Sequence, residues 1–107
     1  MQLEFLIGYP DNVGRRHIWA GHGTGPANYQ QAAKDPISIP KFQFYIDVLF
    51  PATTVSGTYV VYGMPSGVGP RQDWKLKWVV AATGAEVANG TNLSAQQVQL
   101  GGFGGQF

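Results

Sequence analysis

Apolar and polar residues alternate along two stretches of this chain. Alternation at period two marks a strand with one buried face. In KFQFYIDVLF (41–50), Phe42, Phe44, Ile46, Val48 and Phe50 share one face, and Lys41, Gln43, Tyr45, Asp47 and Leu49 share the other. In DWKLKWVVA (73–81), Trp74, Leu76, Trp78 and Val80 stand opposite Asp73, Lys75 and Lys77. TYVVY (58–62) is β-branched and aromatic, QLEFLI (2–7) reads as a short first strand, and AQQVQL (95–100) as a weaker last one. Thr83-Gly84 turns the chain into AEVA, and Asn89-Gly90 is a strong hairpin signal. Short strands with turn signals between them predict an all-β antiparallel sandwich or small barrel. Its core is expected where the Phe42/Phe44/Ile46/Val48 face meets the Trp74/Leu76/Trp78/Val80 face.

Residues 8–40 carry a different pattern. Glycine or proline stands at 8, 10, 14, 21, 23, 25, 26, 36 and 40, and such punctuation predicts neither a strand nor a long helix. Asn28 is placed to cap one short helix over YQQAAK (29–34), stopped by Asp35-Pro36. The remainder predicts a long glycine/proline-rich N-proximal loop, an arm of the kind that carries function when it exceeds ~12–15 residues. GMPSGVGPRQ (63–72) predicts a second loop. The chain closes on GGFGGQF, a glycine-rich C-terminal tail. The expected organisation is one β domain over 1–100, with the loop 8–40 inserted, and a tail over 101–107. Burial of Phe103 and Phe107 stabilises by about 1.5–3 kcal/mol each. That falls short of the roughly 7–14 kcal/mol needed to order seven backbone residues. The tail is therefore expected to gain backbone hydrogen bonds by adding to a strand edge, that of a neighbouring subunit in preference to its own domain.

Composition changes the picture in one respect. The 107 residues hold seven basic and six acidic side chains, 12% charged in all, about half the ~25% of ordinary soluble domains. A surface with so few charges is suited to lying against neighbours. With no cysteine, disulfides and thiolate metal sites are excluded. MQLEFLIGYP has no basic segment and too short an apolar run for a secretion signal, and no stretch is long enough to span a membrane as a helix. Asn89-Gly90-Thr91 and Asn92-Leu93-Ser94 match the glycosylation pattern, which needs a secreted chain to be used.

Candidate chemistry concentrates in GRRHIWAGHGTGPANY (14–29). Gly21 and Gly23 begin a G-x-G-x-x-G dinucleotide loop, but Pro26 stands at its third glycine position. His17 and His22 lie five apart, off the spacing of a helix-borne metal pair, and only Asp11 and Asp35 are near in sequence as a further ligand. Arg15, Arg16 and His17 beside Trp19, and Arg71, Lys75 and Lys77 beside Trp74, give a basic-plus-aromatic pattern. On an alternating strand, however, Trp74 and Trp78 point away from Lys75 and Lys77, and the net charge is only +1, so nucleic acid is not an expected partner. No cysteine nucleophile, G-x-S-x-G serine or paired carboxylates are recognisable. The expectation is a protein that is no enzyme and uses no cofactor or metal.

In overall style the chain resembles small structural proteins of tailed-phage virions, especially capsid cement (decoration) proteins and head–tail components: cysteine-free, β-rich, low in charge and glycine-punctuated. The resemblance implies a structural role in the virion, with synthesis in the host cytoplasm. The partners would be other copies of the chain or a major capsid or other virion protein, gripped by loop and tail through Arg15, Arg16, His17, Trp19, His22, Phe103 and Phe107. DWKLKWVVAATGAEVANGTN (73–92) is also similar to β-sandwich cellulose-binding modules. That likeness implies sugar stacking on exposed Trp19, Trp74 or Trp78.

Overall fold

The computed structural model describes residues 1–5, 11–13, 16–38, 44–67 and 73–106. Among them it forms nine strands: β1 (Glu4–Phe5), β2 (Asp11–Val13), β3 (Arg16–Thr24), β4 (Asp35–Pro36), β5 (Phe44–Leu49), β6 (Ala52–Thr53), β7 (Tyr59–Pro65), β8 (Trp74–Val80) and β9 (Gln97–Gln106). They pair antiparallel in two open sheets, with no helix among the described residues. One sheet runs β4-β8-β7-β6. The other runs β1-β3-β9-β5, with β2 also against β3.

The four-stranded sheet follows from its side chains. β7 and β8 pair from Tyr59↔Val80 to Pro65↔Trp74. Alternation then puts Val61, Leu76 and Trp78 on the inner face, all at most 1% exposed, while Tyr62, Met64 and Lys75 face outward. The inner face meets Trp19, Ile46, Leu49, Val98 and Leu100 of the second sheet in one hydrophobic cluster that also holds Leu3, Tyr29, Val87 and Leu93. The Trp74 indole N–H donates across to the Ile46 carbonyl (2.9 Å), tying β8 to β5.

The five-stranded sheet overturns two expectations. The supposed loop 8–40 contains β3, a nine-residue strand that pairs with β9 over eight residues, from His17↔Gly104 to Thr24↔Gln97. The supposed tail is the C-terminal half of β9, which lies between β3 and β5 inside this chain's own sheet. The expected partner edge on a neighbour is thus replaced by two edges of the same domain. Glycine's low strand propensity is overridden because the strand needs glycine to fit. A Cβ on Gly102 would sit 1.8 Å from the Val48 carbonyl oxygen. Phe107 and Arg15, like Phe42 and Arg71, lie outside the described residues.

A bulge corrects the expected core. Ile46 pairs with Gly104 and Val48 with Phe103, so Asp47 is the extra residue on β5. An extra residue shifts the alternation by one. Ile46 and Leu49 therefore face inward, while Val48 and Phe50 face solvent, 43% and 49% exposed. The expected short helix over 29–34 is a single turn closed by the Lys34 N–H donating to the Gln30 carbonyl (2.7 Å). Lys34 takes a left-handed φ of 59° there, which stops helix propagation. Asn89-Gly90 forms a turn, with Gly90 at φ 85°, but it joins no paired strands. Its Gly90 N–H donates to the Tyr29 carbonyl (2.7 Å), and the Tyr29 N–H to the Thr91 carbonyl (3.0 Å).

Candidate functional site

Because β3 and β9 bury Trp19, Gly21, Val98, Leu100 and Gly102, the residues between them project from the outer face of the five-stranded sheet. The registers arrange them in rows across the strands. Thr24 lies opposite Gln97; His22 lies between Gln99 and Glu4; Ala20 lies opposite Gly101; Phe103 lies opposite Val48. The small residues Ala20 and Gly101 divide this face in two.

One half is apolar. Phe50 is anchored beside the small-residue row by its N–H, which donates to the Gly101 carbonyl (2.9 Å). Its ring meets the half-buried Phe103 edge-on, with centroids 5.7 Å apart at 82°. Val48 completes the patch.

The other half is polar and concave. A groove of about 650 Å³ is lined by Gln2 and Glu4, by His22, Gly23 and Thr24 of β3, by Gln97 and Gln99 of β9, and by Val55. The Val55 N–H donates to the Gln97 carbonyl (2.8 Å). The turn carrying Val55 is held further by the Ser56 hydroxyl donating to Gln96 Oε1 (2.7 Å). His22 Nε2 stands 3.6 Å from Glu4 Oε2, both side chains substantially exposed.

Away from this face, two polar clusters serve the fold. The Met1 ammonium and the Trp78 indole N–H both donate to the buried Asp35 carboxylate. The Tyr29 hydroxyl accepts from the Trp78 backbone N–H (3.2 Å) and donates to Glu86 Oε2 (2.8 Å), which also accepts from Lys34 Nζ. Burial pushes the Tyr29 phenol up to about 12, and the Glu86 carboxylate as hydrogen-bond acceptor adds to the shift. The hydrogen bond from Lys34 holds the Glu86 carboxyl below its ordinary value.

The structure separates the sequence-predicted interface residues. His22 and Phe103 share the outer face, one in each half. Trp19 is 1% exposed, within the core cluster. It therefore presents no surface to a partner or a sugar, and that expectation is corrected. Arg16 and His17 lie in β3, described by their backbone alone. Trp78 is fully buried and Trp74 half-buried against the core, which removes the exposed stacking platform that the sugar-binding likeness required. Sequence reasoning missed Glu4, Gln97, Gln99, Val48 and Phe50. For the glutamines a signal was present: QVQL alternates, which already sets Gln97 and Gln99 opposite Val98 and Leu100. Among the described residues no three His, Cys, Asp or Glu side chains are grouped to hold a metal ion. The chain matches no protein-family model, no curated protein and no solved structure.

Proposed function

We propose that this chain is a non-enzymatic structural protein of a virion, a capsid decoration (cement) protein or related component, that binds neighbouring subunits through the outer face of its five-stranded sheet. The observation that carries the reading is the Val48/Phe50/Phe103 patch. A contiguous exposed apolar patch on an otherwise satisfied sheet is the kind of surface that marks protein contacts. Covering the exposed half of a phenylalanine contributes about 1 kcal/mol, half of the ~1.5–3 kcal/mol for burying the whole side chain, and many copies held on one surface multiply that through effective concentration. A net charge of +1 leaves little repulsion between copies packed together. The contact is a face instead of the loop and tail first expected, since β3 and β9 are committed to the chain's own sheet. The virion assignment rests on the whole-chain resemblance to phage structural proteins. Immunogold electron microscopy of native particles tests it. Regular labelling of a particle surface is expected; label recovered only with soluble, unassembled protein would overturn the reading.

A further inference from the structure

The polar half of the outer face is separate from the patch assigned to assembly, and its chemistry is different. We infer that the groove between the Glu4–His22 pair and the Gln97/Gln99 ladder is a binding site for a neutral saccharide. Its volume of about 650 Å³ falls within the ~300–1,000 Å³ of small-ligand sites.

The lining selects the ligand class by elimination. Among the described residues no lysine or arginine lines the groove, so phosphates, sulfates and nucleic acid find no cationic clamp among them. Glu4 further disfavours an anion. An extended peptide is ordinarily captured by a free backbone edge. Here the β3 and β9 main chains are paired with each other, and the Leu3 N–H donates to Ser38. Recognition therefore falls to side chains. Those side chains are carboxamides, a hydroxyl, an imidazole and a carboxylate, which offer donors and acceptors in near balance. Hydroxyl groups, each at once donor and acceptor, are the complement of that set. Cross-strand neighbours such as His22 and Gln99 stand ~4.5–5.5 Å apart, so adjacent hydroxyls of one sugar ring can be held from two strands at once. Val55, 73% exposed at the groove wall, supplies an apolar surface for a ring's C–H face.

Titration of the ¹⁵N-labelled protein with cellohexaose, maltohexaose, mannohexaose and hexagalacturonate tests the proposal by amide chemical shifts. At least one neutral hexasaccharide is expected to bind saturably, shifting residues 22–24, 55 and 97–99, with the uronate weaker. Gln97→Ala/Gln99→Ala removes two hydrogen-bonding side chains, each worth ~1 kcal/mol, and should weaken that binding about thirtyfold while leaving far-UV circular dichroism unchanged. The Val48→Thr/Phe50→Ser protein should bind the sugar as well as the parent, which separates this site from the assembly patch. The proposal is overturned if no neutral hexasaccharide binds the folded protein. It is equally overturned if the shifts map elsewhere, the uronate binds more tightly, or the glutamine double variant binds undiminished.

Discussion

Gly102 shows how one missing side chain decides a strand. The Val48 carbonyl occupies the space where its Cβ would stand, and the obstacle is backbone, which cannot rotate aside. Gly102→Ala must push β9 from β5 or undo the bulge, at a cost of about 3 kcal/mol or more, the upper end for overpacking. Gly90 makes a useful contrast. Its φ is 85°, and the nearest atom to an added Cβ lies 3.9 Å away, so Gly90→Ala should cost only the ~1–2 kcal/mol of a left-handed residue. Urea unfolding midpoints should rank the two in that order. The Tyr29–Glu86–Lys34 cluster makes the second residue-scale prediction. The carboxyl of Glu86 is held below its ordinary 4.5 by the Lys34 hydrogen bond. Its stabilising contribution is thus complete above pH 4.5 and disappears as pH falls through the lowered folded value. Tyr29 is shifted in the other direction, from 10.0 to about 12. The contribution of its neutral phenol is complete below pH 10 and is lost as pH rises toward 12. In chemical denaturation at a series of pH values, the stability gap between the parent and Glu86→Gln should be widest above pH 4.5 and close below it. Tyr29→Phe should flatten the alkaline limb, while the Trp78 N–H left without its acceptor lowers stability at every pH.

At the scale of elements, β9 is the strand on which the five-stranded sheet depends. It pairs with β3 along one edge and β5 along the other, so truncation after Leu100 removes the pairing of β5 entirely. The truncated chain is expected to lose cooperative thermal unfolding and near-UV aromatic signal; a melting temperature close to that of the full chain would show that β5 is held by other means. Elements with strong strand patterns were legible in advance: β8, the first half of β7 and much of β5 fall where the pattern puts them, while residues 63–65, expected in the second loop, extend β7. β3 and the C-terminal part of β9 beyond Leu100 were not, for a physical reason. Their glycines carry no hydrophobic signal, and what fixes them is cross-strand fit, a property of two distant segments that no local window contains. The bulge at Asp47 was hidden likewise, because it exists only relative to Gly104 and Phe103. The candidate site was half legible. Residues His22 and Phe103 were singled out from sequence, but Val48 was assigned to the core, with Phe50 on the same face of its strand, because one extra residue reverses the faces. The tryptophans, conspicuous in sequence, turn out to be core side chains, as bulky aromatics on alternating strands ordinarily are.

The whole molecule is a sandwich with two dissimilar outer faces. On the four-stranded sheet, Tyr62 and Met64 are interleaved with Lys75 and Lys77 across the β7–β8 register, so apolar surface there is broken by ammonium groups. On the five-stranded sheet, Val48, Phe50 and Phe103 adjoin with no lysine or arginine among the described side chains beside them. Desolvating the described part of the second face costs less, because no lysine described there must shed water, and docking should be confined to it. Val48→Thr keeps the β-branched shape and Phe50→Ser removes a ring that is 49% exposed. Together they withdraw roughly 2 kcal/mol of burial from the contact, about thirtyfold in affinity. The cost to the isolated fold should stay near 1 kcal/mol, mostly the lost edge-to-face contact with Phe103. Sedimentation of the variant alongside native particles should show it remaining in the supernatant while its thermal unfolding is nearly unchanged. Replacing Tyr62 and Met64 by serine on the opposite face supplies the control, and that protein should co-sediment like the parent. Retained co-sedimentation of Val48→Thr/Phe50→Ser, or loss of it in the control alone, would place the contact on the other face and remove the basis of the assembly reading.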